Sequence, residues 1–114
     1  MHNDICYAVV AEGQEQIFDG QSALDFIATV RFNTGCDCVV VPKSAIVDSF
    51  FVLSTGIAGE VMQKFVNYRM KVAIVGDFSQ YTSQPLKDLM SECNRGHDIF
   101  FVSTEQDAIA KLCQ

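Results

Sequence analysis

The chain has 114 residues, 49% of which are hydrophobic, and its formal net charge is −6. This length and composition allow a folded domain with a sizeable apolar core and exclude an intrinsically disordered chain. The acidic balance argues against nucleic acid or an anionic membrane as the main partner, because both carry negative charge. We therefore expect one domain over residues 1–114 that binds neither a nucleic acid nor a membrane.

The amino-terminal residues and the cysteines indicate the cellular compartment in which the protein is expected. Residues 1–4 show no basic region or long apolar run of the kind that begins a secretory signal. The five cysteines are odd in number and scattered, which is atypical of a disulfide framework, so we expect reduced thiols in a cytoplasmic protein. Cys36 and Cys38 stand two positions apart, but no further ligands complete a zinc pattern. Neither a metal nor another cofactor is expected.

The amino-terminal region predicts two short strands. Apolar residues fill positions 5–10, and positions 14–18, which end in Ile17-Phe18, form the second predicted strand. Glu12-Gly13 lies between them and is a typical turn pair, so we expect an antiparallel hairpin.

A helix and a third strand follow the hairpin. Apolar residues recur at helical spacing between positions 23 and 30, and Ser22 with Asp25 resembles a capping box at the helix start. Gly35 suits the left-handed conformation that often ends a helix. Residues 38–41 are apolar and mostly β-branched, which favours a strand.

The next segment contains a dense apolar cluster, Phe50-Phe51-Val52-Leu53. If buried, such a cluster belongs to the core; if exposed, it marks a surface for a partner or an apolar ligand. We favour the core and keep the exposed surface as the alternative.

The following residues predict an amphipathic helix over positions 57–68. Four apolar residues share one of its faces: Ile57, Val61, Phe65 and Tyr68. Residues 70–75 are nearly all apolar, which favours a strand buried on both faces of a parallel sheet covered by helices.

The residues that open this helix are candidates for a site. Ser54 or Thr55 can cap the free amides of its first turn. Gly56 and Gly59 are poor helix formers, each costing roughly 1 kcal/mol relative to alanine, which suggests close approach of another backbone or of a ligand. For these glycines we favour tight packing of the helix on the sheet over a binding role.

Asp77 is a further candidate because it follows the buried strand. Open α/β sheets place their ligands at the carboxyl ends of the strands. An aspartate there is also an ordinary turn former or helix cap, which is the interpretation we favour.

Two helices and a strand complete the predicted order. Ser83 is placed to cap one helix that Gly96 ends, residues 99–102 form a strand, and Thr104 with Asp107 resembles the cap of a final helix. The resulting order, β-β-α-β-α-β-α-β-α, predicts an α/β domain with a mixed, mostly parallel sheet and an amino-terminal hairpin.

Several blocks of the sequence resemble a known family. These blocks occupy positions 54–60, 63–65, 67–71, 75–78 and 100–104. They are similar to the bacterial domain of unknown function 4180, and the resemblance covers nearly the whole chain. It implies a bacterial protein and supplies almost no function, because that family is itself uncharacterised.

The element order also resembles that of STAS domains, the sulphate-transporter and anti-sigma-factor-antagonist class. That class carries a phosphorylatable Ser or Thr at the start of the helix after its third strand, in a motif of the type Asp-Ser-Ser/Thr-Gly-Leu. Residues 53–57, Leu-Ser-Thr-Gly-Ile, match this motif from the second position onward, with Leu53 in place of the acid. The resemblance implies a STAS-like sandwich in which Ser54 is modified and Thr55 is its neighbour. A register at positions 48–49, Asp-Ser, is the alternative.

Known catalytic motifs are missing from the sequence. It contains no G-x-G-x-x-G after a strand, no P-loop lysine motif and no G-x-S-x-G. A cysteine nucleophile needs a histidine base in reach, and His97 near Cys93 and Asp98 stands in what is expected to be an exposed turn. We therefore do not expect an enzyme.

The sequence thus predicts a non-catalytic regulatory or protein-interaction module that has a protein partner or associates with itself. The alternative is a module for a small apolar ligand or a lipid, with a pocket bounded by the Phe-rich segment. An enzyme with an unrecognised site near Asp77 is the third hypothesis. The candidate binding and regulatory residues are Ser54, Thr55, Gly56, Gly59, Phe50, Phe51 and Asp77.

Overall fold

A computed structural model of the protein describes residues 7–10 and 15–112. These residues contain four strands in one sheet, in the order β1-β2-β3-β4, and every neighbouring pair is parallel. The strands are β1 (Tyr7–Val9), β2 (Cys38–Pro42), β3 (Lys71–Val75) and β4 (Ile99–Val102). The helices are α1 (Gly20–Thr34), α2 (Ile57–Asn67), α3 (Gln84–Arg95) and α4 (Glu105–Leu112).

Helices cover both faces of this sheet. Because successive strands are neighbours, right-handed crossovers that step in one direction place α1, α2 and α3 on the same face. That face buries apolar residues of the strands and of these helices, among them Val39, Val72, Ile74, Phe26, Phe65 and Leu86. The opposite face buries apolar residues of the sheet against α4: Cys38, Val40, Ala73, Phe100, Ala108 and Leu112. The predicted α/β architecture is confirmed, and β3 is covered on both faces, as predicted for positions 70–75.

The predicted antiparallel hairpin and mixed sheet are wrong for the residues that the structure describes. β1 pairs with β2 in parallel, and Ile17 forms an isolated parallel bridge with Ile46. The amide of Ile17 donates to the carbonyl oxygen of Ala45 at 3.0 Å, so this segment runs beside the continuation of β2 in the same direction as β1. Burial of Ile17, worth about 1.5–3 kcal/mol for such a side chain, favours this pairing. The turn pair Glu12-Gly13 lies outside the described residues.

The start of α1 also differs from the prediction, which placed Ser22 at the cap. Asp19 is the cap: its carboxylate accepts a hydrogen bond from the Ser22 amide at 2.8 Å. The Ser22 hydroxyl accepts one from the Asp19 amide at 3.0 Å, so the capping box exists with Ser22 in its third helical position. Gly35 ends the helix in the left-handed conformation, with φ of 71°, as predicted.

Other local predictions have mixed outcomes. On α2 the side chains of Val61 and Phe65 are buried, but Tyr68 follows the end of the helix and is 45% exposed. Cys36 is disulfide-bonded, so the expectation of a reduced thiol is wrong at this position. None of the helices in the described part of the chain has the length and hydropathy that crossing a bilayer requires.

Candidate functional site

The entrance to α2 is an exposed turn that glycine makes feasible. Residues 53–55 form one turn of 3-10 helix, and Gly56 follows with φ of 79° before α2 begins at Ile57. A residue with a Cβ would pay about 1–2 kcal/mol for such a left-handed conformation. A Cβ built at Gly56 meets nothing within 4 Å. The backbone angle, and not close packing, therefore accounts for Gly56.

The two hydroxyl groups at this entrance have different surroundings. Thr55 Oγ1 lies 2.9 Å from the carbonyl oxygen of Ser49 and 2.8 Å from that of Val52, and it accepts from the Ile57 amide at 3.2 Å. The Ser54 side chain is exposed and makes no hydrogen bond within residues 7–10 and 15–112. Thr55 thus holds the turn together, whereas the Ser54 hydroxyl remains accessible.

The first turn of α2 has few partners for its amides. Thr55 bonds the Ile57 amide, which agrees with the predicted capping role, but no side chain caps the helix from Gly56. Among the described residues, the amides of Ala58 and Gly59 have no hydrogen-bond acceptor. Free amides and the positive end of the helix dipole together favour a negative group at this position.

Phe50 and Phe51 lie beneath this entrance in the core, as favoured from the sequence, with 1% and 4% of their surfaces exposed. They belong to a group of ring contacts that we call the aromatic cluster, formed by Phe50, Phe51, Phe78, Tyr81 and Phe101. Phe51 stacks on Tyr81 with ring centroids 4.9 Å apart. Such a pair contributes about 0.5–1.5 kcal/mol beyond its buried area. The aromatic cluster therefore packs the segment after β2 against the loop after β3.

The core around Phe50 has little free space. The apolar cavity that Phe50 lines together with Phe65 and Ile99 has a volume of about 10 Å³. Pockets for small ligands usually measure about 300–1,000 Å³. A small ligand would therefore have to bind elsewhere than among these buried phenylalanine side chains.

A lysine that the sequence did not single out lies across the aromatic cluster. The Nζ atom of Lys43 is 5.4 Å from the ring centroid of Phe51 and 5.1 Å from that of Tyr81. A Cβ built at Gly76 would lie only 2.6 Å from the Lys43 Cβ, so a larger residue there would displace the lysine. In the sequence, a glycine directly after β3 is the feature that could have indicated this close packing of Lys43.

Asp77 behaves as a turn former, the role favoured from the sequence. Its carboxylate accepts hydrogen bonds from the Ser79 hydroxyl at 2.6 Å and from the Ser79 amide at 2.9 Å. These bonds, with a smaller contribution from the charge of Lys43, hold the pKa of Asp77 below its ordinary value. The carboxylate is fully exposed, and it remains ionised at neutral pH.

A cleft of about 590 Å³ lies beside Asp77 at the carboxyl ends of β3 and β4. Its polar lining comes from Asp77, Ser103, Asp107 and Lys111. The Asp107 amide is bonded to the Thr104 hydroxyl at 3.0 Å, which confirms the predicted cap of α4. Within the described ranges no three His, Cys, Asp or Glu side chains come together as a cation site. An enzyme at this position stays a hypothesis.

Gly59 lies on a different surface from the entrance turn, in a groove between α2 and α3. A Cβ built there meets nothing within 4 Å, so the favoured explanation by tight packing is wrong for this glycine. Cys93 and His97 line the same groove, but no hydrogen bond joins them in the described structure. Burial, followed by the charge of Glu92, raises the pKa of the Cys93 thiol, which disfavours a thiolate nucleophile at neutral pH.

The structure thus separates the predicted site residues into neighbouring groups. The exposed entrance is formed by Ser54, Thr55 and Gly56, and Phe50 and Phe51 lie beneath it in the core. Asp77 directly precedes Phe78 of the aromatic cluster. Sequence reasoning missed Lys43, Tyr81 and the groove at Gly59, because each depends on contacts between segments far apart in the chain.

Comparisons with known proteins identify the family and nothing finer. No curated protein matches this sequence, and no solved structure matches it either. A family model described as Domain of unknown function (DUF4180) matches residues 2–112. Because this match spans nearly the whole chain, the protein belongs to that family of domains of unknown function.

Proposed function

We propose that this protein is a bacterial, cytoplasmic and non-catalytic regulatory module with a STAS-like motif at positions 53–57. In this proposal it binds a protein partner through the entrance to α2, and phosphorylation of Ser54 switches that binding. The observation that carries the proposal is the contrast between the two hydroxyl groups. Thr55 is occupied by three backbone contacts, whereas Ser54 is exposed and unbonded in the described structure.

The physical chemistry of the entrance favours a phosphate. A phosphoryl group on Ser54 would lie next to the free amides of the first turn of α2, where the helix dipole attracts negative charge. It would add about 1.5–2 negative charges at neutral pH to a chain whose net charge is already −6. A partner docked over Ser54 would be repelled or reoriented by this change.

The surface around Ser54 also offers apolar contact to a partner. Val52, two positions before Ser54, is 52% exposed. The beginnings of α1 and α2 are joined by the Gly20 amide, which donates to the Glu60 carboxylate at 3.2 Å. Exposed apolar side chains beside a switchable charge are the features that a protein–protein contact uses.

The test measures phosphate and partner binding in the same cells. The tagged protein is isolated from its own organism, and the peptide that contains residue 54 is examined by mass spectrometry. We expect phosphate on Ser54, and we expect the captured amount of one partner to change at least about fivefold between Ser54→Ala and wild type.

Two controls separate the switch from a general loss of structure. Ser91→Ala removes an exposed hydroxyl from α3 and should leave partner capture unchanged. Thr55→Ala removes the bonds that hold the turn and should lower stability without removing phosphate from Ser54. Absence of phosphate at Ser54, together with equal capture by Ser54→Ala and wild type, would refute the proposal.

A further inference from the structure

An open groove separates α2 from α3. Gly59, Met62 and Val66 line its α2 wall, Cys93 belongs to its α3 wall, and Ile99 at the start of β4 is buried there. The volume of the groove is about 590 Å³, within the range of about 300–1,000 Å³ that is usual for small-molecule sites. From Gly59 to Asn67 the α2 wall extends eight residues, or about 12 Å at the rise of an α-helix.

Gly59 keeps this groove open without an evident structural reason. Its φ is not positive, so the backbone does not require glycine, and a Cβ built there would project into empty space. Glycine inside a helix costs about 0.5–1 kcal/mol relative to alanine. A glycine that lowers helix stability and fills no packing role is consistent with a site at which another molecule approaches the backbone.

The groove combines an apolar interior with a polar rim. Val66 is 47% exposed, and Met62 is half-buried, so an incoming apolar group would gain contact with both. The rim carries Gln63, Asn67 and Asp98, whose side chains make no hydrogen bond elsewhere in the described structure. This arrangement suits a small molecule with an apolar body and a polar head.

The charges around the groove select the kind of head group. Asp98 is the carboxylate of the lining, and neither lysine nor arginine lines the groove. Glu92, next to Cys93 on α3, lies close enough for its charge to raise the pKa of that thiol. His97 on the rim is exposed. A cationic head complements this surface, whereas a carboxylate head is repelled.

We propose that the groove between α2 and α3 binds a small amphipathic amine. Its apolar body packs on Met62, Val66 and Ile99, and its ammonium group lies beside Asp98 and the side-chain amide oxygen of Asn67. This site does not depend on phosphorylation of Ser54, and it places the ligand away from the filled aromatic core around Phe50.

The experiment compares three eight-carbon probes with different head groups: n-octylamine, n-octanol and octanoate, whose alkyl tail is one carbon shorter. Titrations of the whole protein are followed by amide and methyl NMR. We expect saturable shifts at Met62, Val66 and Ile99 with n-octylamine, weaker binding of n-octanol and the weakest binding of octanoate. Asp98→Asn should weaken the amine about two- to fivefold, the effect of an exposed ion pair, and should leave n-octanol unchanged.

Variants that fill or recharge the groove provide the control. Gly59→Phe should weaken n-octylamine binding at least about tenfold by occupying the groove, and Val66→Lys should weaken it through repulsion. Lys87→Phe places the same aromatic ring on an exposed position of α3 outside the groove lining and should bind as wild type does. The proposal is overturned if no probe produces saturable shifts in the groove. It is equally overturned if octanoate binds as tightly as the amine, or if Gly59→Phe and Val66→Lys both bind like Lys87→Phe.

Discussion

The two sides of α2 differ in how closely they approach a neighbouring helix. On the α1 side, the Gly20 amide donates to the Glu60 carboxylate at 3.2 Å, and a Cβ built at Gly20 would lie 3.4 Å from the Glu60 Cβ. The rings of Phe26 and Phe65 are 6.4 Å apart across the same contact. On the α3 side, Gly59 faces an open groove and a built Cβ meets nothing within 4 Å.

Under the proposed binding of an amine, α2 divides its two flanks between stability and binding. The α1 side is filled, so its side chains contribute to the free energy of unfolding through burial. The α3 side leaves apolar groups such as Met62 and Val66 partly exposed in the groove, where they contribute less to stability. Gly20 therefore permits close packing on the α1 side of α2, whereas Gly59 leaves open space on the α3 side.

The largest difference between the two sides of α2 is expected in the free energy of unfolding, when two neighbouring side chains of this helix are truncated. Phe65→Ala removes a ring that is 2% exposed and should lower the free energy of unfolding by about 3–5 kcal/mol, because a cavity remains. Val66→Ala, at a position that is 47% exposed, should change it by no more than about 0.5 kcal/mol. Urea titration followed by circular dichroism measures both values.

The ratio of these two effects is the informative quantity. If Val66→Ala costs as much as Phe65→Ala, the α3 side of α2 is packed in solution and the groove is closed. The two-state character of unfolding is checked by comparing fluorescence of the tyrosines with circular dichroism in the same titration.

A smaller effect, with opposite signs on the two flanks, is expected when each glycine becomes alanine. Gly59→Ala should raise the free energy of unfolding by about 0.5–1 kcal/mol, because the methyl group meets no obstacle and the helix gains propensity. Gly20→Ala should lower it by about 1 kcal/mol, because the new methyl group presses on the Glu60 side chain where α1 and α2 meet. Thermal and urea unfolding of both variants measure the difference, and shifts in the same direction would contradict it.

Local patterns in the sequence predicted the parts of the fold that depend on neighbouring residues. The spacing of Val61 and Phe65 predicted the buried face of α2, and Ser83 caps α3 by accepting from the Leu86 amide at 3.4 Å. The cap at Thr104 was predicted for the same reason, because a cap and the amide it bonds are three residues apart.

Contacts between distant segments could not be predicted in this way. Nothing near Ile17 indicates that it pairs with Ile46 and not with the preceding strand. Likewise, the sequence around Gly59 and Gly20 does not show which of the two faces another helix. Strand partners and helix spacing follow from how the whole core fills, and a single sequence without structure does not contain that information locally.

The smallest effect concerns Cys93 on the open flank, and it appears in the pH dependence of thiol chemistry. Burial raises the pKa of Cys93 above its ordinary value, and the charge of Glu92 adds to the shift. The folded state therefore favours the protonated thiol. The Cys93 thiol therefore contributes fully to stability at a pH below the pKa of the unfolded chain. This contribution is lost as the pH rises through the pKa of the folded protein.

Alkylation of Cys93 by iodoacetamide, followed by peptide mass spectrometry, measures this shift. The apparent pKa in the folded protein should exceed that of the same peptide in urea, and Glu92→Gln should lower it. Gly59→Phe should slow the reaction by covering the groove, whereas Lys87→Phe should not. An apparent pKa in the folded protein at or below that of the same peptide in urea would mean that water reaches the thiol freely, and the α3 side of α2 would then be more open than the structure shows.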